Sequence, residues 1–185
     1  MVIKLSNNVV NAYRYAGGAE VCQDISDQDT VMQQWNGSSG NKTGGGAIIT
    51  NTGKGAEFIG LSVDTVKVWL RKGVGSPANS FSVGIYRDAS KGTEQYNFHS
   101  GNLSAVTTSM VEYEYTSTSG SKHTIVSGDI VAITYPHNSG TLFSRIEYGS
   151  VYGGLVFALL GEWDRPPHDY WSYDGNSSGL TFCVG

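Results

Sequence analysis

The chain has 185 residues, enough for one domain with a sizeable core and short of two comfortable ones. Charged side chains are 15% of it, well below the usual quarter, so Ser, Thr, Asn, Gly and Tyr must cover much of the surface. A net charge of −4 without any Lys/Arg cluster speaks against nucleic acid as a partner, and no apolar run reaches the roughly 18 residues that membrane insertion needs.

In chain order, the start Met1-Val2-Ile3-Lys4 lacks the charged, apolar and small-residue sections of a secretory signal. Either a signal has been removed, or the protein is assembled without secretion, as a viral structural protein released by lysis would be. The first 55 residues are the least regular: a strand or arm near 7–15, then a strand or helical turn over 31–35. Residues 36–46 hold five glycines (Gly37, Gly40, Gly44, Gly45, Gly46) and no large apolar side chain, which predicts a loop.

From residue 56 the pattern becomes short alternating runs punctuated by turns. Val66, Val68 and Leu70 share one face of a strand and Lys67, Trp69 and Arg71 the other; Phe81, Val83 and Ile85 alternate with Ser82, Gly84 and Tyr86. Further strands are predicted near 96–99, 110–116, 123–125, 129–135, 142–148, 154–160 and 180–184, with Val126-Ser127-Gly128-Asp129 as a tight connection. Nothing after residue 50 keeps helical spacing. Many short strands without a repeat period predict an all-β fold, an antiparallel two-sheet sandwich of jelly-roll type. Residues 1–55 would pack on that domain (56–185) or extend from it.

Three stretches carry a resemblance. The strand 66–70 with Lys72-Gly73 and Gly75-Ser76-Pro77 and then Phe81-Ser82-Val83-Gly84-Ile85-Tyr86, the run 126–133, and the closing Leu180-Thr181-Phe182-Cys183-Val184-Gly185 together resemble a recurrent jelly-roll surface module. Such modules occur in virion appendages and secreted multidomain proteins, and they are similar in layout to carbohydrate-binding modules. The resemblance covers about residues 56–185, rests on strand and turn types, and implies a fold more than a function. Ending just after the last strand, the chain reads as a whole domain.

Several constellations could carry chemistry. The densest aromatic segment includes Trp163, His168, Asp169, Tyr170, Trp171, Tyr173 and Asp174. Its rings could stack on sugar rings while its polar groups fix hydroxyls, or they could plug an open end of the fold or meet a protein partner. Asp24, Asp27 and Asp29 offer hard oxygen ligands, so a structural calcium is the one cofactor left open, although turn roles also explain loop aspartates. His99, His123, His137 and His168 show no zinc spacing. Cys22 and Cys183, near the two ends, would either bridge or stay as buried thiols. Glu112 and Glu114, two apart on one strand face, have the layout of a glycosidase pair, but Val111, Tyr113 and Tyr115 alternate with them as the inward side of an amphipathic strand would. No nucleophile elbow or phosphate loop is present. Sequons at Asn36, Asn41, Asn102 and Asn176 matter only if the chain enters a glycosylating pathway. These features lead to a non-catalytic structural and recognition module at an extracellular or virion surface. It would form a homo-oligomer, or bind other particle proteins, through strand edges and aromatic loops. A glycan-binding module is the alternative.

Overall fold

The computed structural model describes residues 20–22, 32–36, 42–73, 80–87, 93–136, 141–148, 155–160, 171–173 and 178–185. Within them the chain is all-β, with two short 3-10 turns (Gly53–Glu57 and Leu103–Ala105) and every strand pairing antiparallel. The strands are β1 (Val21–Cys22), β2 (Met32–Asn36), β3 (Lys42–Ile49), β4 (Ser62–Val63), β5 (Thr65–Lys72), β6 (Ser80–Arg87), β7 (Thr93–Asn102), β8 (Val111–Thr116), β9 (His123–Thr124), β10 (Ile130–Pro136), β11 (Thr141–Tyr148), β12 (Leu155–Leu160), β13 (Trp171–Tyr173), β14 (Ser178–Leu180) and β15 (Phe182–Val184). One sheet runs β1-β15-β5-β11-β14, with β8 on β5 and β2 on β11; the second runs β13-β12-β3-β10-β6-β7; β4 and β9 form a separate ladder.

The two sheets share one apolar core. The alternation read from the sequence places Val66, Val68 and Leu70 of β5 in it, with Leu142, Phe182 and Val184 from the same sheet. The second sheet contributes Ala47, Ile49, Phe81, Val83, Ile85, Tyr96, Phe98, Val131 and Ile133. Phe58, Leu61, Leu103, Val106 and Ile125 enter from the turns, and the Phe58 ring lies 5.1 Å from Phe182.

The glycine-rich stretch departs from its sequence reading. Residues 42–49 form β3, hydrogen-bonded between β10 and β12 in the interior of the second sheet. Register explains why glycine suits a strand here. Gly84, Ala132, Gly46 and Ala158 lie side by side across β6, β10, β3 and β12. A Cβ on Gly46 would sit 2.4 Å from the Val131 carbonyl oxygen and 2.7 Å from the Ala132 Cβ, so that position has no room for a side chain. The neighbouring Ile48, Tyr86, Ile130 and Ala132, on the face of this sheet opposite the shared core, are buried as well. Strands β1 to β3 thus pair the described part of the first 55 residues into both sheets.

The closing segment also differs from the single strand expected over 180–184. Leu180 pairs with Ile146 of β11, whereas Phe182 pairs with Val68 of β5, so the chain changes partner at Thr181. Thr181 is fully buried, and its hydroxyl has no hydrogen-bond partner among the described residues. The cysteines are bonded to each other: Cys22 and Cys183 lie directly opposite on β1 and β15, with an S–S distance of 2.06 Å. The bridge spans 161 residues of sequence, a loop for which chain entropy gives about 5 kcal/mol. Glu20 lies beside the bridge and reaches Lys67 of β5 at 2.5 Å, an ion pair that raises the Lys67 pKa.

Candidate functional site

Two polar-aromatic constellations stand at opposite ends of β6. At its C-terminal end is a buried carboxylate. The turn Val126-Ser127-Gly128-Asp129 leads into β10, with Gly128 at φ 92°, a conformation that favours glycine. It delivers Asp129, 0% exposed, into the interior. Three donors meet the carboxylate: Arg87 Nε–H at 2.7 Å and His123 Nε2 at 2.8 Å from the side chains, and the Val126 backbone N–H at 3.0 Å. Ionised Asp only accepts, so the His123 nitrogen facing it carries a proton. The hydrogen bond to Asp129 raises the Arg87 pKa. Tyr96 packs on the His123 ring at 5.7 Å and donates its hydroxyl to the Ser121 carbonyl. A buried charge is tolerated where it is paired and hydrogen-bonded, and this arrangement fastens β6, β9 and β10 together.

At the N-terminal end of β6 lies an aromatic seam between β7 and β8, each hydrogen-bonded to one strand only among the described residues. Strand β7 carries two bulges: Val83 faces His99 and Gly84 faces Asn97, leaving Phe98 over; Ile85 faces Tyr96 and Tyr86 faces Glu94, leaving Gln95 over. The first turns both Phe98 and His99 towards β8: Phe98 is buried in the core, and the His99 imidazole stacks on Tyr115 with ring centroids 4.1 Å apart and planes 14° from parallel. Phe81 forms the floor, 5.3 Å from His99 and 6.2 Å from Tyr115. A Cβ at Gly101 would collide with the His99 ring, so glycine leaves the space the imidazole occupies.

Tyr113 stands 6.0 Å from Tyr115 with its plane within 9° of parallel, and among the described residues Tyr115 is the only ring against it. Its hydroxyl accepts from the Thr107 N–H at 2.7 Å. The loop holding Thr107 is fixed from other sides too: the Lys72 backbone N–H donates to the Thr107 carbonyl at 2.8 Å, Lys72 Nζ reaches the Ser104 carbonyl at 3.2 Å, and the Ser104 N–H caps onto Asn102 Oδ1 at 2.8 Å. Thr107, Thr108 and Ser109 are exposed on this loop. Burial lowers the His99 pKa and raises that of Tyr115, with Tyr113 adding to the latter. Neither His99 nor Tyr115 makes a side-chain hydrogen bond with a described residue. The rings are positioned, and among the described residues the polar atoms of His99 and Tyr115 remain available.

Of the residues singled out from sequence, Trp163, His168, Asp169, Tyr170 and Asp174 lie outside the described residues, as do Asp24, Asp27 and Asp29. Trp171 and Tyr173 lie on β13, opposite Leu160 and Ala158, at the far edge of the second sheet from β7. Glu112 and Glu114 are exposed, on the face of β8 away from the core, and Glu114 lies 3.5 Å from Lys67. The only group of possible metal ligands among the described residues is Glu20 with Cys22 and Cys183, whose sulfurs form the disulfide. The seam is hidden in the sequence: His99 has no zinc spacing to mark it, and Tyr113 and Tyr115 read as the inward side of their strand. Pairing of β7 and β8 with different sheets is what brings them together.

No family model, no characterised protein and no solved structure matches this chain.

Proposed function

We propose that this chain is a non-catalytic structural and recognition module, a jelly-roll domain that attaches or assembles at an extracellular surface, most naturally that of a virion or its appendage. The carrying observation is the seam: Tyr113, Tyr115 and His99 are fixed by packing and by a tied loop, while among the described residues the polar atoms of His99 and Tyr115 stay unspent. Preorganised groups of this kind favour binding because little ordering entropy is lost on contact. The one His–Asp pair among the described residues is spent holding the fold, which suits a module without chemistry of its own. A jelly roll fits the path of the chain, which crosses directly between the two sheets from β2 to β3, β5 to β6, β7 to β8, β10 to β11, β11 to β12 and β13 to β14, and places β15 between β1 and β5.

The edges favour contact through faces and loops rather than strand addition. Strand β8 points Glu112 and Glu114 outward and β7 is bulged twice, both devices that discourage pairing with another chain's strand. Molar mass by light scattering over a concentration series tests the assembly reading. A defined oligomer is expected, and a monomer at every concentration that also fails to bind any particle would overturn it. The aromatic segment around Trp163 and Trp171 keeps the second reading, a carbohydrate-binding module, in play.

A further inference from the structure

We infer that the β7–β8 seam is a subsite for one ring of a neutral oligosaccharide, with Tyr113 as the platform and His99, Tyr115, Thr108 and Ser109 around it. This deepens the recognition reading and rests on it, but places the contact at the opposite edge of the second sheet from Trp171 and Tyr173.

The argument begins with the rings. His99 already lies flat on Tyr115, so the seam accepts a planar group at 4.1 Å on a tyrosine of β8. Tyr113, one position along the same face and nearly parallel to Tyr115, has no such cover among the described residues and is half-buried. The electron-rich face of an aromatic ring attracts C–H groups carrying partial positive charge, and a pyranose presents several of them on one side. Hydrogen-bonding groups must then meet the ring hydroxyls. Those in the seam are the Tyr115 phenol, whose ring lies 6.0 Å from that of Tyr113, the imidazole stacked on Tyr115, and the exposed Thr108 and Ser109, which follow the Thr107 amide bound to the Tyr113 hydroxyl.

Charge selects the class of sugar. The β8 carboxylates Glu112 and Glu114 are on the opposite face, and the Lys72 ammonium turns one of its N–H groups to the Ser104 carbonyl. No charged side chain among the described residues reaches the polar atoms of His99, Tyr113 or Tyr115, so the contacts these rings offer are neutral ones and a neutral hexose fits them better than an acidic one. Rigidity is built in as well, because Thr107 N–H to Tyr113 and Lys72 N–H to Thr107 hold the loop and platform in one arrangement.

The experiment is aromatic-resolved NMR of the full chain titrated with five neutral hexasaccharides: cello-, malto-, laminari-, manno- and galacto-hexaose. The expected result is that at least one moves the Tyr113 and His99 ring signals in a saturable way. Tyr113→Ala should then weaken that ligand at least tenfold. If Tyr113→Ala fails to fold, His99→Ala and signal mapping on the unaltered chain carry the same decision. Three results overturn the inference: no ring signal moves with any sugar at millimolar concentration, the shifts fall on Trp171 and Tyr173 instead, or affinity survives in Tyr113→Ala. None of these removes the recognition reading itself, which the mass and particle-binding measurements decide separately.

Discussion

The two ends of β6 solve opposite problems with similar residue types. Phe81 and Arg87 are six positions apart, about 20 Å along a strand. At the Arg87 end a histidine, an arginine and a backbone N–H all point at one buried carboxylate, and every lone pair that matters is used. At the Phe81 end a histidine and two tyrosines are stacked, and among the described residues the imidazole and one phenol keep their hydrogen-bonding capacity. A buried charge with its donors in place stabilises a turn; a set of positioned rings with unused polar atoms is poised for something outside the chain. The contrast teaches that the presence of histidine beside aromatic or acidic groups says little about function until the partners of each atom are known.

The largest effect that would test this contrast is at Asp129. Asp129→Ala leaves the Val126 N–H and His123 without an acceptor, and two orphaned donors cost about 3 kcal/mol. At roughly 2–4 °C per kcal/mol for a domain of this size, Tm should fall by about 6–12 °C, while oligosaccharide titration of the folded variant should look unchanged. A fall of less than 2 °C would mean the carboxylate is not the fastening described. Arg87→Met should cost less, about 1 kcal/mol, because the guanidinium is 42% exposed and its partner keeps two other donors. Equal losses in the two variants would indicate that Arg87, rather than the whole set, carries the stabilisation.

At the other end, Tyr113→Phe keeps the ring and removes the acceptor for the Thr107 N–H. It also removes the donor of a long, 3.4 Å bond to Thr107 Oγ1; the two together are worth about 1 kcal/mol, so global stability should change little. The informative readout is amide exchange: the Thr107 amide should lose protection in the variant while those of β5 keep theirs. Unchanged exchange at Thr107 would show that the loop is held without the tyrosine, and the idea of a preorganised platform would weaken accordingly.

How much of this was legible in the sequence depends on which rule governed each element. The alternation of Val66, Val68 and Leu70 and of Phe81, Val83 and Ile85 predicted their faces correctly, because period 2 follows from backbone geometry alone. The turn at 126–129 was legible for the same kind of local reason. Strand β3 was not, since its glycines look like a loop until the register sets Gly46 against Ala132 and Ala158. The break at Thr181 was equally hidden: it depends on which of two distant strands each half meets. The solvent side of β8 was read correctly from alternation, with Glu112 and Glu114 exposed. The seam needed both the bulge at Phe98 and the packing of two edges, neither of which is written in any one segment.

The smallest expected effect bears on His99, and its sign separates the two ends most sharply. Burial lowers the His99 pKa from its ordinary 6.5, so the folded chain holds this imidazole neutral while the unfolded chain takes up a proton first. Wherever the unfolded state binds more protons, stability rises with pH. The His99 contribution is therefore fully present above pH 6.5 and is lost as pH falls through the depressed folded value. In His99→Gln that part of the acid slope should vanish, so the Tm difference between the two proteins should narrow or reverse as pH drops below 6.5 and stay constant above it. A difference that does not vary from pH 8 to pH 4 would show that the imidazole titrates as freely as one in water. The stack on Tyr115 would then be too open to hold a ring ligand's neighbour in place, and the seam would lose its claim to be the built binding surface of the pair.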